Sequence, residues 1–294
     1  MDDPAQFISQ QIKRFVGDSP DNRLPFIDNY VMWDEPLIGF ADGDDPIFQE
    51  YKVIISETHL TPREVLAKAY DTNPQNLPPQ LSVISWILPA VEETRRANRK
   101  EVYTPSRLWS HTRWYGEQFN VKLRRYMVNQ LAETGYLATA PFLQPFFKTY
   151  SNEKGPYSNW SERHIAYAAG LGTFSLSDGL ITERGIAHRC GSVVTDLALP
   201  KSPMKTLDPY SNCLFFRGVN CRACIKRCPT GAITEEGHDK IKCQQYQRDF
   251  GYNDEALKDG YDNDTSVSGC GLCQTKVPCE FQNPVERLKR KLKT

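Results

Sequence analysis

Nine cysteines stand where chemistry could occur, and none falls in the first 189 residues: Cys190, Cys213, Cys221, Cys224, Cys228, Cys243, Cys270, Cys273 and Cys279. The densest stretch reads Cys221-x2-Cys224-x3-Cys228-Pro229, followed by Thr230-Gly231-Ala232-Ile233. It is the end of the C-x2-C-x2-C-x3-C-P run that holds iron–sulfur clusters through thiolates. A tight loop can wrap its thiolates around one face of a cube, and the last one points away after the turn imposed by proline. The run's first cysteine would stand at 218, where this chain has Gly218; Cys213, five residues upstream, is the substitute. Paired C-x2-C segments can also hold structural zinc. The x3 spacing and the CPTGAI continuation favour iron–sulfur.

In two-cluster ferredoxins the last cysteine of the run serves the other cluster. Crossing the ligands in that way assigns Cys213, Cys221, Cys224 and Cys279 to one site. Cys228, Cys243, Cys270 and Cys273 fill the second, and Cys190 is left as a buried, small apolar side chain. The expectation is two [4Fe–4S] clusters and low-potential electron transfer. Disulfides are disfavoured because the chain reads as cytoplasmic: Met1-Asp2-Asp3-Pro4 has no basic or apolar leader character, and no eighteen consecutive apolar residues occur. Lys+Arg and Asp+Glu both number 36, so the overall basic excess usual in nucleic-acid binders is missing. The length suggests two domains.

The elements that must position these residues are partly legible. Thr61-Pro62-Arg63-Glu64 has capping-box spacing and opens a helix. Leu81–Pro89 is apolar and β-branched, as a buried strand would be, and charged Glu92–Glu101 reads as an exposed connection. A long helix is expected from about Pro105 to Thr134, capped by Thr104 and stopped by Gly135. Its Tyr115, Phe119, Leu123, Met127 and Leu131 form one apolar face. A second helix spans roughly Ser161–Ala169, with Asn159 and Glu162 at capping-box spacing. Gly179–Thr182 and Ser192–Leu199 read as strands around a turn at Glu183-Arg184-Gly185, and Lys201–Tyr210 as a linker. The architecture expected is α/β or α+β. The last segment, VERLKRKLKT, places Val285, Leu288 and Leu292 among five basic residues. It reads as a solvated helix, with docking to an acidic electron donor as the alternative.

Residues from about Gly135 to Pro284 resemble the epoxyqueuosine reductase family, which is related to the reductive dehalogenases. The resemblance is carried by Glu162-Arg163, Ala168-Ala169-Gly170-Leu171-Gly172, Leu180-Ile181-Thr182, Gly191-Ser192 and Thr195-Asp196-Leu197. The cysteine run and Gly269-Cys270-Gly271-Leu272-Cys273-Gln274 complete it. It implies an α+β chain: a nitroreductase-like α/β domain over 1–205, then a ferredoxin-like domain with two [4Fe–4S] clusters over 206–294. It further implies a base-off cobalamin, fed by the clusters, that reduces the substrate. Gly170, Leu171, Gly172 and Thr173, with Gly191 and Ser192, would then lie against the corrin. On a reading without cofactor these residues form only a helix cap and a strand turn.

Three departures qualify the resemblance. The family's proton-donating aspartate precedes the position of Glu162 by six residues, and Pro156 stands there instead. Ser175 and Leu176 replace the usual Gly-Lys pair. Helical repeats that help hold tRNA do not follow before Thr294, so with zero net charge tRNA is not the expected substrate. Tyr157, beside the vacated acid, is the candidate proton donor; Glu162 reads as a cap and His164 as a helix-surface residue. His111 and Arg113 are candidates for binding an anionic group. Two functions follow. One is a cobalamin-dependent reductase of a small organic substrate, drawing electrons from a ferredoxin or flavodoxin. The other is an electron-transfer module that reduces a partner, such as a corrinoid protein, without its own cobalamin.

Overall fold

The structure is a computed structural model and describes residues 3–260 and 269–291. Leu292, expected on the apolar side of the last helix, lies outside the described residues. The centre is a four-stranded antiparallel sheet in the order Leu37–Asp42, Ser82–Pro89, His188–Thr195, Ala138–Thr139. Because the strands are antiparallel, the mixed helix and strand architecture is α+β rather than α/β.

The strand expected at Leu81–Pro89 is present, and all eight of its residues are buried. Its mainly apolar sequence, broken by the buried Ser82 and Ser85, has a physical reason, since both sheet faces are covered. Ile84, Trp86 and Leu88 face one core with Phe119, Leu123, Met127 and Leu131 of the long helix and Ile8 and Ile12 of the helix Pro4–Asp18. Val83 faces the other core, with Phe48, Leu66 and Ile165. Each such side chain contributes about 1.5–3 kcal/mol on burial.

The capping box at Thr61 forms as read, with Glu64 accepting from the Thr61 amide and Thr61 accepting from that of Glu64. Other boundaries differ. The long helix is Arg107–Glu133 and its cap is Ser106, whose hydroxyl accepts from the Trp109 amide at 3.2 Å. Thr104 is therefore not the cap. Leu180–Thr182 pairs with Gly172–Phe174 in a separate hairpin, not with the sheet strand that follows Gly185. Glu92–Glu101 is not an exposed connection: Glu92–Lys100 is a helix with Thr94, Arg95 and Asn98 buried. Its acids sit in the first turn and its bases in the last, the order that complements the helix dipole. No helix among the described residues is long and apolar enough to cross a membrane.

Candidate metal centre

The cysteine-rich region is built from short pieces that leave the sulfurs facing inward. Ala223–Arg227 forms a short helix between Cys221 and Cys228. Gly271, at φ +59°, turns the chain into the 3-10 turn Leu272–Gln274 that carries Cys273. Asp239 accepts from the Lys242 amide and starts the helix Lys240–Phe250, which carries Cys243.

The eight cysteines of the two expected quartets differ in their surroundings. Cys213, Cys221, Cys224 and Cys279 line one apolar pocket together with Ile181, Phe215 and Val277. Burial pushes the Cys224 thiol up to about 11, with Cys213 and Cys221 adding repulsion. Cys279 is pushed up by burial first, and then by Cys213, Cys224 and Cys221. In the second group burial lifts Cys270 to about 11, and the charged neighbours that add to the rise are Cys243 and Cys228. Cys273 is raised by burial and by Cys270, Cys243, Cys224 and Cys228, so it feels both groups. The thiols that act on one another lie mostly within the quartets expected from the sequence, and the pair Cys273 and Cys224 crosses between them. Neighbouring thiols in an apolar setting resist ionising together, and a polycation supplies the charge that would hold them as thiolates. Among the described residues no group of three or more His, Cys, Asp or Glu is gathered closely enough to hold a metal ion as arranged.

Side chains unnoticed in the sequence, Arg227, Asn98, Arg95, Arg99 and Glu280, clamp this region to the sheet domain. Arg227 donates to the carbonyls of Leu272 (3.2 Å), Thr275 (3.1 Å), Glu101 (2.7 Å) and Asn98 (3.2 Å). The Asn98 amide donates to the Cys270 carbonyl at 3.1 Å, and its carbonyl accepts from Ser106 at 2.8 Å. Glu280, only 2% exposed, pairs with Arg99 at 2.6 Å and Arg95 at 3.6 Å. The charge order of Glu92–Lys100 was the signal that could have revealed this docking helix. Trp109 adds an indole N–H to the Gly269 carbonyl at 2.9 Å. His111 and Arg107 are both committed to Asp259, at 2.9 and 2.8 Å, and Arg113 lies against Gly269.

The residues expected against a corrin are packed by this chain itself. A Cβ at Gly170 would lie 2.9 Å from the Pro203 carbonyl oxygen, one at Gly172 2.6 Å from that of Ile181, and one at Gly191 2.6 Å from the Trp86 ring. Leu171 packs against Gly39, and the Thr173 hydroxyl accepts from the Asn212 amide at 2.9 Å. Ser192 is 0% exposed; it donates to Glu162 at 2.6 Å and accepts from the Trp160 indole at 2.9 Å. As arranged, they do not fit a flat macrocycle.

Glu162 is accordingly no cap: it also takes Arg124 at 3.0 Å, while Arg124 binds Glu117 at 2.8 Å and Arg189 binds Glu117 as well. His164 is half-buried rather than on the surface, and desolvation lowers its pKa to about 3. Cys190 is buried, and burial lifts its thiol to about 12. Tyr157 lies on the hairpin of Thr149–Asn152 and Gly155–Ser158, stacked on Tyr150 at 5.3 Å. That hairpin borders the helix Lys240–Phe250, where a Cβ at Gly155 would meet Lys240.

No family model matches the chain. Among curated proteins it is similar to the epoxyqueuosine reductase of Bacillus cereus, 30% identical over 121 residues, which is 40% of this chain and 29% of that protein. The corresponding protein of Bacillus anthracis is 29% identical over the same length. The matched stretch thus spans less than a third of these relatives. Among solved structures, an epoxyqueuosine reductase from Bacillus subtilis matches with a TM-score of 0.44 at 18% identity, covering 92% of this chain and 66% of that one. A catabolic reductive dehalogenase in complex with 3-bromo-4-hydroxybenzoic acid matches with a TM-score of 0.47 at 18% identity, covering 71% and 27%. The suspected likeness to epoxyqueuosine reductase is thereby found in the comparisons as well.

Proposed function

We propose that this chain is an iron–sulfur oxidoreductase working as an electron-transfer module that reduces a redox partner, for example a corrinoid protein. The observation that carries the reading is the gathering of Cys213, Cys221, Cys224 and Cys279 around a single apolar pocket, in a chain whose other four clustered cysteines have the spacing of a second site. In this reading residues 1–205 are a nitroreductase-like domain and 206–294 a ferredoxin-like one, placed in the cytoplasm. When bound, two [4Fe–4S] clusters supply one-electron carriers at low potential.

The chain's own part is to hold, shield and tune. Cys213, Cys221, Cys224 and Cys279 would ligate the first cluster, with Ile181, Phe215 and Val277 keeping water from it. Cys228, Cys243, Cys270 and Cys273 would ligate the second. There Gln247 donates to the Cys243 sulfur at 3.0 Å, the kind of contact that raises a cluster's potential. Cys224 of the first quartet and Cys273 of the second pack against the same apolar cluster, which supports exchange between them.

Reduction of a small organic substrate through a resident cobalamin is the other reading. It needs an open face along Gly170–Thr173 and Gly191–Ser192, and Tyr157 as proton donor. Those positions are filled by Pro203, Ile181, Trp86 and Trp160, so the electron-transfer module is favoured. The test is anaerobic purification, reconstitution with iron and sulfide, supply of cobalamin and electron paramagnetic resonance. Two cluster signals without base-off Co(II) support the module. A base-off Co(II) signal would establish the reductase instead, and stoichiometric zinc with no cluster signal would overturn both.

A further inference from the structure

Beside the first quartet lies a surface whose charge is unlike the rest of the chain. Pro284 lines the cysteine pocket and is also the first residue of the helix Pro284–Lys291. That helix therefore leaves directly from the rim of the pocket. It carries Arg287, Lys289, Arg290 and Lys291 against one acid, Glu286, in a chain whose total formal charge is zero. Glu286 is engaged by Lys289 at 2.8 Å. Arg287 and Arg290 have no ion-pair partner among the described residues, and with Gln282 and Lys291 they line one cleft.

Exposed apolar groups follow the pocket residues Cys279, Pro284 and Phe215 closely in the chain. Phe281, two residues after Cys279, is exposed and lies beneath the Arg95 and Arg99 guanidiniums at 5.4 and 5.9 Å. Leu288 is exposed on the basic helix itself. Near Cys213 and Cys221, Phe216 and Val219 are exposed too, and Phe216 packs on Tyr210 at 4.4 Å. A rim of desolvatable aromatic and aliphatic groups with a basic flank is suited to a protein surface of opposite charge.

We propose that this face docks an acidic, low-potential electron-carrier protein, which delivers electrons to the quartet of Cys213, Cys221, Cys224 and Cys279. The inference rests on the electron-transfer reading above and adds the point of entry and the chemistry of the donor. Each transfer oxidises one carrier by one electron and reduces this protein by one electron, with no atom exchanged. The basic flank steers the carrier, and the apolar rim excludes water where the two redox centres come closest. Placement at the first quartet leaves the second, clamped by Arg227 and Asn98 against the sheet domain, as the inner station.

The experiment compares the cluster-loaded protein with its Arg287→Glu/Arg290→Glu variant, both substitutions lying on an exposed helix outside the cysteine pocket. The probe is an acidic bacterial ferredoxin, titrated calorimetrically at low and at high salt, so binding is read directly. The double reversal is expected to weaken binding roughly tenfold or more at low salt, and high salt to bring the unsubstituted protein close to the variant. Reduction by dithionite, which needs no docking face, should proceed equally in both. Equal ferredoxin affinity in the two proteins overturns the proposal. So does a variant that keeps ferredoxin but loses a tRNA anticodon stem-loop, because the face would then serve RNA. Failure of cluster assembly would appear beforehand, in the iron content of the unsubstituted protein, and would count against the electron-transfer reading rather than against this surface.

Discussion

Replacing Glu280 by glutamine removes one negative charge from a place where two guanidiniums depend on it. The carboxylate is 2% exposed, pairs with Arg99 at 2.6 Å and Arg95 at 3.6 Å, and accepts the Lys276 amide at 2.7 Å. Breaking a fully buried pair from one side costs about 3–5 kcal/mol. Here Arg99 is 31% exposed and can recover some hydration, so the loss should be about 2–3 kcal/mol. That cost falls on the segment from Thr275 to Phe281, whose other ties include Arg227 to the Thr275 carbonyl (3.1 Å), the Ile186 amide to the Cys279 carbonyl (2.9 Å) and the Ala187 amide to the Glu280 carbonyl (3.2 Å). Opening should become roughly 30- to 150-fold more frequent, at tenfold per 1.4 kcal/mol. Native-state hydrogen exchange of the Lys276, Ile186 and Ala187 amides reads this opening without requiring iron or activity. Adding Arg99→Met should cost less than the sum of the two single changes, because they share one partner. Exchange rates within twofold of the unsubstituted protein would refute the claim that this ion pair closes the cysteine loop.

Cys213→Ser and Cys228→Ser should each lower iron by about four atoms per chain, since they belong to different quartets. Iron analysis with electron paramagnetic resonance should find the opposite cluster retained in each variant. Stability should fall in mild acid. Burial lowers the pKa of His59 and of His188 to about 4 and that of His164 to about 3. The unfolded chain therefore binds protons below about pH 6.5 while the fold does not, and stability is lost as pH falls from there towards 4. Each of these imidazoles contributes a loss of about 1.4 kcal/mol for every pH unit within that window. Denaturant melts at pH 7 and pH 5 check the sign, and equal midpoints would contradict it. Tyr157→Phe should leave both clusters intact; if Tyr157 donates the proton in a resident reductase reaction, turnover with a reducible substrate should vanish, and unchanged turnover would remove it from that role.

The parts of the fold legible in the sequence were those fixed by local rules. Thr61 and Glu64 make a capping box because both partners lie within one turn, and the apolar repeat at Phe119, Leu123, Met127 and Leu131 is a geometric statement about one helix face. The spacing of Cys213, Cys221, Cys224 and Cys279 likewise anticipated four cysteines that line one pocket, because spacing encodes loop size. Less was legible where a residue's partner is remote in the chain. Glu162 has the spacing of a cap, yet its carboxylate is taken by Arg124 and Ser192, 38 and 30 residues away. The helix Glu92–Lys100 was hidden by its charge, because Arg95, Asn98 and Arg99 gain burial only once residues 270–280 lie against them. Gly191 next to Ser192 suggested close approach to a ligand, but in the sheet the space above Gly191 belongs to Trp86 and Asn120.

The clamp around Asn98 and Arg227 has a consequence for the order of events during synthesis. Translation runs from the N-terminus at about 5–20 residues per second. The helix Glu92–Lys100 and the start of the long helix therefore leave the ribosome before any of the eight cysteines from Cys213 onward exists. When Arg227 and the sulfurs around it emerge, the Asn98 and Glu101 carbonyls that it will engage are already made. The nascent chain thus presents a finished half-socket to the cysteine loops, and premature pairing among loose thiols competes with docking onto a surface already in place.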